Sequence, residues 1–233
     1  LWPNAVAALD QIGRGDALRG IAQPLGEIAV ATQEGRDIGR FQTSQILPGT
    51  TGYLPTRTEL QALLLDGLDD VPLHLGERLI THNADKDGVT VRFASGREDS
   101  GDLLIAPDGI RSDIAFHLNG DRPAHAGYGG VLALSDPVEG HPGTGTGTEY
   151  WGPGERMGLF DLKDGRKYWF YMKNENAPED SATITRAQIK ERMRGWPDAI
   201  MAAVDATPDD RLIPFSIHAK PAPRHIAQGR IIL

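Results

Sequence analysis

Four side chains have a type and setting that could do chemistry: Arg57, Asp108, Arg156 and Tyr168. Arg57 follows Thr56, which forms with Glu59 a T-x-x-E pattern, the capping box that opens a helix by satisfying two orphaned backbone donors. A cation in that first turn opposes the positive end of the helix dipole at a cost of about 0.3–1 kcal/mol, and an anionic ligand there reverses the sign. An exposed arginine that reaches into solvent is the plainer explanation. Asp108-Gly109 ends the apolar run Leu103-Leu104-Ile105-Ala106, and open α/β proteins bind ligands beyond the carboxyl ends of strands. An ordinary Asp-Gly turn is the plainer alternative. Arg156 and Tyr168 stand on two successive predicted strands joined by Lys163-Asp164-Gly165. Aimed into one pocket, the arginine would hold an anionic substrate oxygen and the tyrosine would stack or hydrogen-bond. Cross-strand surface residues account for them equally well. No residue is singled out as catalytic.

Other chemistries are poorly served. There is no G-x-x-x-x-G-K-[ST] loop, no H-E-x-x-H and no G-x-S-x-G. G-x-G-x-x-G is missing as well: Gly13 and Gly15 are followed by Leu18, and Gly152 and Gly154 by Met157, where the third glycine is needed. The chain has no cysteine, so disulfides, thiolate metal ligands and a cysteine nucleophile are out, and its 7 histidines form no i,i+4 pair. No metal is expected. The lack of cysteine suits a cytoplasmic location.

The net charge, 24 − 32 = −8, argues against nucleic acid or an anionic membrane as a partner. No apolar run approaches the about 18–20 residues that cross a bilayer. Leu1-Trp2-Pro3-Asn4 has no basic segment of a signal peptide, and the chain starts without Met. Gly229-Arg230-Ile231-Ile232-Leu233 reads as a buried strand at the very end, so the chain is expected to be an internal piece of a longer protein.

The elements that must position these residues follow from periodicity. Asn4 is the expected cap of a first helix carrying Val6, Leu9 and Ile12, ended by Gly13. Residues 18–45 read as mixed, with strands at Glu27–Val30 and Arg40–Gln42 around Glu34-Gly35-Arg36. The helix from Thr56 has Leu60, Leu63, Leu64 and Leu68 as its apolar stripe. Val89, Val91 and Phe93 alternate with polar neighbours, as in a half-buried strand. Leu103–Ala106 is read as a buried strand. Strands are predicted at Gly130–Leu134, Thr148–Trp151, Met157–Asp161, Tyr168–Met172 and Leu212–His218, and a loop at Gly143–Gly147. Thr185 and Gln188 repeat the capping box, with Ile189, Met193 and Trp196 as the apolar side and Pro197 as the breaker. Helices interleaved with strand meanders argue for an α/β (α+β) chain with an antiparallel sheet.

Four stretches, in order, resemble the group A FAD-dependent aromatic monooxygenases, the para-hydroxybenzoate hydroxylase-like family. Leu1-Trp2-Pro3-Asn4-Ala5-Val6 with Ala8-Leu9 and Gly13 is similar to the helix after the family's second FAD-domain strand. Arg57-Thr58-Glu59-Leu60 is similar to its flavin-contacting helix start. Asp102–Ser112 is similar to its DG motif, and Gly229–Leu233 to the strand leading into its G-D motif. Within the family the nearest likeness is to FAD-dependent urate hydroxylases, whose substrate-contacting Arg and Tyr have the spacing of Arg156 and Tyr168. The departures are the missing G-x-G-x-x-G and G-D units, Pro107 before Asp108-Gly109, and Ala115 where an arginine often stands.

The resemblance implies a partial FAD/NAD(P)-binding domain (1–20, 46–118 and 224–233) interleaved with an antiparallel-sheet substrate domain (21–45 and 119–223). It implies that Arg57 and Asp108 hold FAD and that Arg156 and Tyr168 line the substrate pocket. It further implies an enzyme that takes electrons from NAD(P)H and oxygen from O2 to hydroxylate a small aromatic or heterocyclic substrate. The chain alone, without the pyrophosphate loop, is expected to be inactive. A flavin epoxidase or dehydrogenase relative, or an inert fragment or binding module, remains the alternative. Oligomeric state is not legible.

Overall fold

The computed structural model describes residues 1–68, 70–138, 145–176 and 184–233. In chain order the elements are α1 (Pro3–Gln11), α2 (Gly15–Ile21), β1 (Gln23–Leu25), β2 (Glu27–Thr32), β3 (Asp37–Gln42), β4 (Gly52–Leu54) and α3 (Arg57–Leu65). Then come β5 (Leu79–Ala84), β6 (Val89–Phe93), β7 (Glu98–Gly101), β8 (Leu104–Ile105) and α4 (Asp113–Asn119). The chain continues through β9 (Ala124–Leu134), β10 (Thr146–Gly152), β11 (Glu155–Asp161) and β12 (Lys167–Asn174) to α5 (Arg186–Arg192) and α6 (Asp198–Asp205). It ends with β13 (Ile213–Ala219), β14 (Ala227–Gln228) and β15 (Ile231–Ile232). The mixed α/β class expected from the alternation of helix and strand signals is the one observed.

The chain forms two compact units, Leu1–Asp69 with Gly127–Ile217, and Asp70–Ala126 with His218–Leu233. The first is built on a seven-stranded sheet of order β13-β9-β12-β11-β10-β2-β3. Its neighbours are antiparallel from β9 to β10 and from β2 to β3, while β10 and β2 run parallel. Because side chains alternate across a strand, the register sorts the sheet into two faces. One face carries Val131, Ala133, Met157, Trp169 and Tyr171, which pack with Ile189, Met193, Trp196, Ile200, Ala203 and Val204 into the largest core. The Thr185 capping box starts α5 as predicted, and its apolar side is the buried one. Trp169 shows how the layers lock: its indole N–H donates to Thr207 Oγ1 at 2.8 Å, and Thr207 donates to the Ala203 carbonyl at 2.7 Å, both side chains fully buried. The other face carries Arg156 and Tyr168. A second cluster of the same unit joins α1, α2 and α3 through Val6, Leu9, Leu18, Ala22 and Leu63.

The second unit has a β5-β6-β7 meander with Val89 and Val91 buried, and a small sheet of order β14-β15-β8. Here β15 pairs parallel with β8, Ile231 opposite Leu104. The final apolar run is thus a strand, beside the one that leads to Asp108. Ala106, Ile114 and Ile231 form its core.

Several expectations need correction. The first helix is capped at Trp2, not Asn4, because Pro3 takes the first helical position, where its missing N–H costs nothing. Two short helices, α2 and α4, were not expected. The start of α4 is Ser112, whose hydroxyl accepts from the Ala115 N–H, and Gly120 with φ of 78° ends it. Of the stripe on α3 only Leu63 is buried; Leu64 and Leu68 are exposed, and the helix stops at Leu65. The Leu103–Ala106 run is not a buried strand: only Leu104–Ile105 is extended, and Leu103 and Ile105 are exposed. In the expected Gly143–Gly147 loop, residues 143 and 144 lie outside the described residues, while Thr146 and Gly147 belong to β10, opposite Glu27 and Ile28. A side chain is disfavoured there because a Cβ on Gly147 would come within 2.2 Å of the Phe160 ring that covers it.

Candidate functional site

The residues around Arg156 are fixed by strand register. On β11, Arg156, Gly158 and Phe160 share a face. Opposite them on β12 stand Met172, Phe170 and Tyr168, and opposite Arg156 and Gly158 on β10 stand Trp151 and Glu149. The Arg156 guanidinium donates to Glu149 Oε2 at 3.4 Å and to Met172 Sδ at 3.3 Å, and its carbon lies 5.6 Å from the Phe170 ring centroid. The same Glu149 oxygen accepts the Trp151 indole N–H at 3.0 Å. Arg156 lines a cleft of about 360 Å³ together with Tyr128, Trp151, Met172 and Asn174.

Tyr168 sits on the same face, two pairs along, opposite Phe160. Its ring forms a triangle with Phe160 and Phe170, with centroids 5.9 and 6.3 Å away. Burial, and then the Glu149 carboxylate, push its hydroxyl above the usual tyrosine pKa, so it stays protonated. Arg156 and Tyr168 are therefore on one face and both touch Phe170, while the cleft beside Arg156 is lined without Tyr168. Phe170 can lie flat there because Gly158 has no side chain: a Cβ would meet the ring at 2.2 Å. Glu149, Trp151, Phe170 and Met172 were missed by sequence reasoning. The signal was present in part, since the Lys163-Asp164-Gly165 turn fixes which β12 residue faces which β11 residue. A larger cleft of about 810 Å³ opens beside α5, α6 and β13, but its charged groups are engaged with each other, Arg186 with Asp209 and Lys190 with Asp205.

Arg57 and Asp108 lie in different units. Arg57 is the first residue of α3, directly after a complete capping box in which Thr56 accepts from the Glu59 N–H at 3.2 Å and Glu59 accepts from the Thr56 N–H at 2.7 Å. Its guanidinium is exposed and, among the described residues, bonds to none. Asp108 is exposed in the loop between β8 and α4, before Gly109 with φ of 85°, and its carboxylate likewise bonds to no described residue. Taken separately, an uncommitted cation at a helix start could meet an anionic group, and an uncommitted carboxylate after a strand could accept from a hydroxyl. Among the described residues no group of three or more His, Cys, Asp or Glu could hold a metal ion. No described helix is long and apolar enough to cross a membrane.

Over 235 residues, 99% of the chain is 31% identical to an aurachin C monooxygenase/isomerase of Stigmatella aurantiaca, covering 61% of that protein. The whole chain is 30% identical to an FAD-dependent urate hydroxylase of Klebsiella pneumoniae, covering 62% of it. The crystal structure of Klebsiella pneumoniae HpxO complexed with FAD and uric acid superimposes with a TM-score of 0.87 at 26% identity, over 100% of this chain and 61% of that one. The chain is a relative of the group A FAD-dependent aromatic monooxygenases. No family model matches it. This monooxygenase relative spans about three fifths of the length of the curated proteins it matches, 61% and 62%.

Proposed function

We propose that the protein containing this chain is an FAD-dependent monooxygenase that hydroxylates a small aromatic or heterocyclic ring using NAD(P)H and O2. The observation that carries this reading is the continuous likeness, over the whole chain, to monooxygenases and hydroxylases of that kind. The aromatic face around Arg156 supports it. Bound FAD would supply the redox chemistry, accepting electrons from the nicotinamide and activating oxygen. The chain's own residues would bind and orient: Arg57 and Asp108 hold the cofactor, and Arg156 and Tyr168 hold the ring. Phe160, Phe170 and Trp151 would give the ring an apolar bed that keeps water from the reacting carbon. In this reading residues 1–20, 46–118 and 224–233 serve the flavin, 21–45 and 119–223 serve the substrate, and the protein works in the cytoplasm.

Two variants of the full-length protein test the assignment. Arg57→Ala weakens FAD binding, measured by flavin fluorescence titration, and an unchanged affinity refutes the cofactor role. Arg156→Ala lowers kcat/KM by about 10–100-fold, as expected for losing a hydrogen bond to a charged donor. Labelled O2 decides the reaction type: a hydroxylase places one labelled atom in the product, and a product without label sinks the monooxygenase reading.

A further inference from the structure

We infer that Glu149 sets the substrate class at this site: a neutral ring whose edge carries a hydrogen-bond acceptor beside a donor, as in an amide or lactam, in preference to an anionic ring. The inference rests on the reading of Arg156 as a substrate-binding residue. Arg156 comes with its counter-ion attached. The Glu149 carboxylate accepts from Arg156 at 3.4 Å and from the Trp151 indole at 3.0 Å, both through Oε2, and its side chain is only 23% exposed. Among the described residues the guanidinium also meets the Met172 sulfur and the Phe170 ring, neither of which carries charge. The pair is therefore neutral as a whole. A carboxylate or phenolate approaching Arg156 meets a second carboxylate beside it, where partial burial strengthens the repulsion.

A neutral amide-like edge has no such conflict. Its carbonyl oxygen accepts from Arg156, and its N–H donates to Glu149 Oε1, an atom that bonds to no described residue. The ring behind that edge would rest on Phe170, Trp151 and Tyr168, which stand on the same face. Tyr168 fits the scheme, because the Glu149 carboxylate helps keep its hydroxyl protonated and uncharged. Directly opposite Glu149 on β11 is Gly158, so the cross-strand position facing it carries no side chain.

The test is calorimetric titration of the intact protein with benzamide and benzoate, two ligands of one shape that differ in charge. Benzamide is expected to bind about tenfold or more tightly than benzoate, and Glu149→Gln to reduce that ratio by about tenfold through tighter benzoate binding. Equal binding of the two ligands by the wild type, no binding of benzamide, or an unchanged ratio in Glu149→Gln overturns the inference. Arg156→Ala separates this from the underlying reading. If it weakens both ligands while Glu149→Gln leaves the ratio alone, only the role of Glu149 falls. If it changes neither ligand's affinity, the site itself is misassigned.

Discussion

Replacing Gly158 by alanine tests the physical basis of the site. An added Cβ would lie 2.2 Å from Phe170 Cε1, 2.5 Å from its Cζ and 2.8 Å from Phe160 Cε2. Ordinary contact begins at 3.4 Å, so the Phe170 ring must retreat by 3.4 − 2.2 = 1.2 Å. It cannot slide toward Phe160, which the same methyl also crowds, and Tyr168 stands 6.3 Å away on its own strand. The ring must tilt off the sheet, taking with it the surface on which Arg156 rests. Forcing one methyl into such a contact costs about 1–3 kcal/mol. The assay is urea unfolding followed by tryptophan fluorescence, repeated in Phe170→Leu and in the double variant. Phe170→Leu removes the obstructing ring, so Gly158→Ala should cost about 1 kcal/mol less in that background, a coupling expected of residues in direct contact. A Gly158→Ala variant within about 0.5 kcal/mol of wild type, or strict additivity in the double variant, refutes the argument that this glycine exists to seat Phe170.

Thr207→Val keeps the shape but strands the buried Trp169 indole N–H, and should lower stability by about 1–3 kcal/mol, whereas Thr207→Ser, which keeps the hydroxyl, should cost less. Denaturant midpoints of the two variants check this order. Tyr171 is fully buried beside the Glu155–Arg192 ion pair, and its hydroxyl finds no partner of hydrogen-bond geometry among the described residues; burial, then Glu155, raise its pKa well above the usual tyrosine value. The folded protein therefore keeps a proton that the unfolded chain loses near about pH 10, so this contribution is complete below that pH and declines above it. Tyr171→Phe should leave stability at pH 7 unchanged or slightly higher and make the alkaline decline shallower, with Tyr150 and Tyr168, also raised by burial, keeping part of the slope. An equally steep decline in thermal midpoints between pH 9 and 11 would count against it (about the range set by a tyrosine pKa near 10). Thr56→Ala removes half of the capping box and should destabilise α3 by about 1 kcal/mol, seen as faster amide exchange over Arg57–Leu65.

Much of this protein is written in local pattern. The Thr56 and Thr185 helix starts were legible because a capping box closes within four residues and needs no tertiary partner. The strands carrying Arg156 and Tyr168 were legible as apolar and aromatic runs on either side of a short turn, which allowed the two residues one pocket, while the register of the sheet decided that they share a face. What local pattern could not give was decided by packing and register. Leu64, Leu68, Leu103 and Ile105 are as apolar as buried residues, and only the fold determines that nothing in the described chain covers them. Gly147 reads as loop but is strand because the Phe160 ring fills the place of its side chain. Glu149 became part of the site only when β10 paired with β11, since no sequence spacing announces that a carboxylate seven residues away will reach the Arg156 guanidinium across a sheet.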